Sequence, residues 1–172
     1  MMKNLYLTIA ILFLSTNAMA SWYVGGGIGQ TDYDADEVSS FENPTAIELI
    51  IGNDINSNFS FEASYIDFGD ADDGIAPNWR LSAEGVTLGA LLKAPVNRDF
   101  DIFFKVGLNK WDAEIREDGF GVFFEDDGTD IFYGIGAAIK VSDKVNLGAR
   151  YNVYDFDNED VTMFSLNLLV GF

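Results

Sequence analysis

Four ionisable residues stand in stretches that otherwise carry small or apolar side chains: Glu48, Glu62, Lys105 and Arg150. Two carboxylates with two cations can run acid–base chemistry, line an ion path, or pair and fill a core. The rest of the chain narrows the first option. Among 172 residues there is no cysteine and no histidine. That removes disulfides and thiolate chemistry, together with the usual general base and the commonest metal ligand. The stretches "FGDADDG" (68–74) and "FEDDGTD" (124–130) concentrate the oxygen donors that Ca²⁺ prefers. Neither has EF-hand spacing, so both are expected to be solvated acidic loops with no metal. Asp126 and Asp127 are adjacent in the second stretch, with nothing to hold them at a catalytic separation. "VGGGIG" (24–29) lacks the lysine and following helix of a phosphate cradle. Its glycines are expected to make room beside larger neighbours. These features point to a protein that is not an enzyme and carries no cofactor.

The four charges must be positioned by the elements around them, and those read as strands. Alternation at period two recurs at 22–33, 45–54, 59–68, 85–94, 100–111, 131–141, 145–154 and about 161–172. In each, one parity is apolar. Ile47, Leu49 and Ile51 oppose Glu48; Phe61, Ala63 and Tyr65 oppose Glu62. Phe104, Val106 and Leu108 oppose Lys105; Leu147, Ala149 and Tyr151 oppose Arg150. Short turns at 55–58, 95–99 and 142–144 alternate with long links at about 33–44, 69–81 and 112–130 and a shorter one at 155–160. The pattern predicts an all-β, eight-stranded antiparallel up-and-down barrel.

A soluble lipocalin-like barrel would place its charge outside and its charge-free face within. Here the charge-bearing face is the one rich in Gly, Ser and Asn, and the charge-free face suits lipid. The barrel is therefore expected to be transmembrane, with Glu48, Glu62, Lys105 and Arg150 at similar depth in the lumen. Eight strands leave a lumen that side chains can fill. Phe103, Trp111 and Tyr154 add bulk on that face, so an ion-paired filling is expected; the alternative is a small ion-conducting pore.

The charge balance is strongly acidic: 10 Lys and Arg against 28 Asp and Glu give −18, yet 48% of residues are hydrophobic and 15% aromatic. Such a chain can bury a core and offers no basic patch for nucleic acid. The links and strand tops at 32–43, 67–80, 112–130 and 155–160 hold 21 of the 28 acids and only two basic residues, Arg80 and Arg116. Residues 1–20 read as a signal peptide: Lys3, a ten-residue apolar run over 5–14, and Ala18-Met19-Ala20 before the cut. The barrel domain is then 21–172, exported and one charge more negative.

The stretches "WYVGGGIG", "FEASYIDFG", "GVTLGALLKAPVNRDFDIFFKVGLNKW", "KVNLGARYNVY" and "LNLLVGF" together resemble the OmpA-like family of small outer-membrane β-barrels, which includes OmpX- and Ail-type proteins. The resemblance implies a Gram-negative outer-membrane barrel, monomeric, in contact with membrane lipid and lipopolysaccharide. It implies that Glu62 is a lumen carboxylate. It also implies that the stripe Phe164, Leu166, Leu168, Val170 and Phe172 is a C-terminal signal for the outer-membrane assembly machinery. Larger relatives carry a peptidoglycan-binding domain; this chain stops at its last strand, so wall anchoring is not expected. The expected role is envelope integrity or surface interaction, such as adhesion, through acidic extracellular loops.

Overall fold

A computed structural model describes residues 21–34, 43–72, 79–117, 120–157 and 159–172. The expected signal segment, 1–20, lies outside the described residues. Among the described residues the alternating stretches form eight strands: β1 (Ser21–Asp34), β2 (Thr45–Asn56), β3 (Phe59–Asp72), β4 (Trp79–Pro95), β5 (Phe100–Glu117), β6 (Gly121–Lys140), β7 (Val145–Phe156) and β8 (Glu159–Gly171). Each pairs antiparallel with the next, and β8 returns to β1 from Tyr23↔Gly171 to Asp34↔Asp160. Among the described residues, closure leaves no open sheet edge within the apolar belt, as an apolar surround requires.

Parity decides the two faces. Ile28, Leu49, Leu88, Leu108, Ile135 and Leu166 are exposed on the outside, while Glu48, Glu62, Lys105 and Arg150 are buried within. On β6 the outward series runs from Ile131 to Ile139, about nine residues, near the length with which a tilted strand crosses a bilayer. An exposed apolar belt of this extent on a water-soluble protein would be an aggregation surface; against lipid it is the stable arrangement.

The barrel is asymmetric along its axis. One end has the short turns at 57–58, 96–99 and 141–144. At the other end the strands run further than the alternation predicts. The expected long link at 112–130 is largely strand: β5 and β6 are 18 and 20 residues long and pair as far as Glu117↔Gly121. The stretch 124–130 therefore lies on β6, and Asp126 and Asp127 point to opposite faces of that strand instead of sharing a loop. Likewise β3 runs to Asp72, so most of the stretch 68–74 lies on a strand instead of in a loop, and β4 begins at Trp79; β7 and β8 pair as far as Phe156↔Glu159, with Asp157 at φ +49°. Beyond the bilayer neither face of a hairpin must be apolar, so the hydrogen-bond ladder continues where the hydrophobic period ends. Residues 35–42 of the first link lie outside the described residues.

Candidate functional site

The lumen gathers the four charges. Arg150 on β7 reaches across to β3 and grips Glu62 with both terminal nitrogens, Nη1 to Oε2 at 2.7 Å and Nη2 to Oε1 at 2.9 Å. Lys105 on β5 places Nζ 3.0 Å from the same Glu62 Oε2 and 3.9 Å from Glu48 Oε1 on β2. Two anions and two cations leave the cluster neutral, the condition for holding charge inside a low-dielectric barrel. Two residues absent from the sequence reading add hydrogen bonds to it. Tyr23 donates its hydroxyl to Glu62 Oε1 at 2.9 Å, and Asn167 Nδ2 donates to Glu48 Oε2 at 3.1 Å. The signal for both was available: each is polar and lies on the lumen parity of its strand.

Glycine makes this network sterically possible. In the register of the sheet, Glu48 stands beside Gly27, Glu62 between Gly52 and Gly89, Lys105 beside Gly134 and Arg150 beside Gly136. Each long side chain thus crosses the lumen over a neighbour without a side chain. A Cβ on Gly89 would stand 2.8 Å from the Phe132 ring and 3.5 Å from Lys105 Cε.

Apolar layers bound the network. On the long-strand side, Ile66, Phe68, Phe132, Tyr154, Trp111, Phe156 and Met163 form one buried cluster. Its rings interlock: Phe68 meets Tyr154 edge-on at 5.0 Å and Trp111 stacks on Phe156 at 4.5 Å. Phe132 also lies 5.2 Å from Lys105 Nζ, so the lid rests on the cation beneath it. On the short-turn side Tyr23, Ile50 and Leu169 pack together, and Phe103 lies 5.5 Å from the Arg150 guanidinium. A pocket of about 100 Å³ opens there, with Glu62, Arg150 and Phe103 in its wall. Near that rim, Lys93 Nζ and Ser60 Oγ both donate to Asp54 Oδ1, at 2.7 and 2.5 Å. In the nearby turn, the Lys140 ammonium 2.9 Å away holds the Asp143 carboxyl below its ordinary range.

The long-strand mouth is different in character. A cavity of about 360 Å³ opens above the aromatic lid, between β4, β5, β6 and the β7–β8 hairpin. Its wall is mostly apolar, and five acidic residues, Glu114, Asp126, Asp157, Glu159 and Asp160, border it. Tyr33, also in the wall, donates to Gly69 O at 3.3 Å; burial, with Asp67 and Asp70 nearby, pushes its phenol above the ordinary range. Outside this mouth, Asp67, Glu84, Asp112 and Asp127 stand in successive register across β3 to β6. Among the described residues no three acidic side chains converge as a metal site.

The stripe on β8 is placed as its parity demands. Phe164, Leu166, Leu168 and Val170 are exposed on the outer face, and Phe172 follows the strand, its amide donating to Trp22 O at 2.9 Å.

Comparison with known proteins agrees with this geometry. The model of the outer membrane protein beta-barrel domain family matches residues 6–172. Outer membrane protein A of Yersinia pseudotuberculosis is 31% identical over 157 residues, 84% of this chain; the chain spans only 42% of that relative's length. An uncharacterised Haemophilus influenzae protein is 26% identical, with 88% of this chain and 89% of that protein covered. Among solved structures, Ail, the attachment invasion locus protein of Yersinia pestis, in complex with the heparin analogue sucrose octasulfate, aligns at TM-score 0.60 and 17% identity, over 89% of this chain and 97% of its own. The closed eight-stranded barrel, its lipid-type outer belt and the match over nearly all of its length lead to one conclusion: this chain belongs to the outer-membrane β-barrel domain family and resides in the outer membrane.

Proposed function

We propose that the protein is a non-enzymatic barrel with a sealed lumen that serves envelope integrity and surface interaction. The observation that carries this reading is the lumen itself. A neutral ion-paired network lies beneath a continuous buried layer of interlocked aromatic rings. A hydrophobic constriction stops ions by excluding their water, and the aromatic layer is such a constriction. Both cations are held by carboxylates, so neither is free to attract a permeating anion.

Surface interaction is supported by the β5–β6 hairpin, which projects beyond the belt. It carries acidic flanks and, at its end, exposed Phe120, Val122 and Phe124. A rigid paired hairpin presents these groups at lower entropic cost than a loop. Ail binds a polysulfated saccharide analogue. A polyanion does not suit the acidic mouth of this chain, so its surface partner is expected to be cationic. The stripe ending at Phe172 is proposed to be the segment that the outer-membrane assembly machinery reads.

The test pairs two measurements. Purified protein in planar bilayers should give no stable openings; openings abolished by Glu62→Ala or Arg150→Ala would establish the small pore instead. Cells expressing a chain with the hairpin shortened should lose adhesion while keeping detergent resistance if the hairpin mediates contact. Loss of resistance alone would assign the role to the envelope.

A further inference from the structure

The cavity at the outer mouth owes its existence to two small residues. Ala83 and Ala113 face each other in the β4–β5 register, beside the stacked pair Trp111–Phe156. The stack lies at 9° between ring planes, and the Trp111 indole N–H is fixed on Asp130 Oδ2 at 2.8 Å. The floor is therefore flat, aromatic and held in place before any ligand arrives, while the two alanines leave the space above it empty. Val161 and Leu81 extend the apolar wall.

The rim has one sign. Among the described lining residues there are five carboxylates and neither lysine nor arginine. Arg116, outside the wall, pairs with Glu114 at 2.5 Å. Of the rest, Asp126 shares its strand face with Asp130 and Glu159 is the register partner of Phe156, so both stand on the side of the floor, while Asp160 shares the opposite face with Asp155. Low-dielectric walls below a single-sign rim focus a negative potential into the cavity. A concave, largely apolar site with a few convergent polar groups is the usual form of a small-molecule site.

We propose that this mouth binds an amphiphilic organic cation, with a flat apolar body on the Trp111–Phe156 floor and an ammonium at the rim beside Asp126 and Glu159. A neutral apolar molecule leaves the carboxylates without a counter-charge, and a compact hydrated cation leaves the floor uncovered. The amphiphile satisfies both. Binding at this height places the ligand outside the aromatic lid, so it does not depend on any passage through the barrel.

The experiment is a calorimetric titration of the barrel in phosphatidylcholine nanodiscs, with empty discs as the blank. The probes are 2-(1-naphthyl)ethylamine, its alcohol isostere 2-(1-naphthyl)ethanol, and butylamine. The amine should bind saturably above the blank, with both comparison probes about tenfold weaker or more, and raised salt should weaken the amine alone. Asp126→Asn/Glu159→Gln should lower amine affinity about tenfold and leave alcohol binding unchanged. Ala113→Leu should abolish both by filling the space. Heat-modifiable gel mobility shows that each variant is folded; the charge variants decide the matter even if Ala113→Leu fails to fold. Equal binding of amine and alcohol, no saturable heat above empty discs, or full affinity in the double variant would overturn the proposal.

Discussion

At the residue scale, Glu62 carries more of the lumen than its partners do. It accepts from Arg150 twice and from Tyr23, and it holds Lys105 at 3.0 Å, whereas Glu48 Oε1 reaches Lys105 only at 3.9 Å. Removing its charge leaves two buried cations facing one distant carboxylate. Glu62→Gln should therefore cost about 3–5 kcal/mol, the range for breaking a buried ion pair from one side. Glu48→Gln should cost less. Urea unfolding in lipid vesicles measures both, and an equal or reversed order would contradict the geometry. Gly89→Val gives a steric counterpart: its new methyls enter the space of Phe132 and Lys105, and overpacking of this kind costs about 1–3 kcal/mol. The lumen position of the four charges was legible because a strand's parity assigns each residue a face. Their pairing was not. Which of eight strands brings Arg150 opposite Glu62 depends on the shear of the closed sheet, a quantity spread over every register. Tyr23 and Asn167 escaped for a related reason: among many lumen-parity polar residues, parity alone does not say which reach the carboxylates.

At the element scale, the extended hairpin shows where alternation stops being informative. From Asp112 onward the outward parity loses its apolar series to Asp112 and Glu114, and the sequence resembles a solvated loop. Yet β5 and β6 stay paired through this region, because a ladder outside lipid needs no apolar face to persist. At its base, on the outward side of the sheet, Asp67, Glu84, Asp112 and Asp127 stand in successive register across β3 to β6. Like charges directly opposite across strands repel, by roughly 0.2–1 kcal/mol per pair. Tyr65 relieves Glu84 through a 2.6 Å hydrogen bond, and Asp112 sits between two carboxylates. Asp112→Asn should then stabilise the hairpin by roughly 0.2–1 kcal/mol, read as slower amide hydrogen exchange on β5 and β6, with the gain shrinking as salt rises. Faster exchange in the variant would show that the aspartate is held by a partner instead. The closing strand invites a different test. Phe164, Leu166, Leu168 and Val170 face outward whether or not any machinery reads them, so a packing role and a recognition role must be separated. Phe172 follows the strand, and its loss should barely alter the folded ladder. Phe172→Ser is expected to lower outer-membrane yield while leaving the urea midpoint of the folded barrel unchanged. A yield equal to that of the parent would remove the recognition role.

At the scale of the whole molecule, the two ends of the lumen are not equivalent. From the short-turn side a pocket of about 100 Å³ reaches the wall formed by Glu62, Arg150 and Phe103, room for only a few waters. From the other side the outer cavity stops at the Trp111–Phe156 stack, with Phe68, Phe132 and Tyr154 beneath it and all nearly or fully buried. Solvent thus approaches the network from one side, and the barrier to ions is the aromatic layer on the other. The asymmetry makes the sealed lumen testable in graded steps. The parent should show no stable openings in a planar bilayer. Phe103→Ala enlarges the pocket that already approaches Arg150, hydrates the network further and should remain silent, because the lid above is untouched. Phe68→Ala/Phe132→Ala/Tyr154→Ala removes the rings that cap Lys105 and should flicker open, with heat-modifiable mobility confirming a folded barrel. Openings in Phe103→Ala with silence in the triple variant would place the barrier on the wrong side of the network. Conductance in the parent would mean that rings packed at 5 Å in the structure do not stay packed in the membrane.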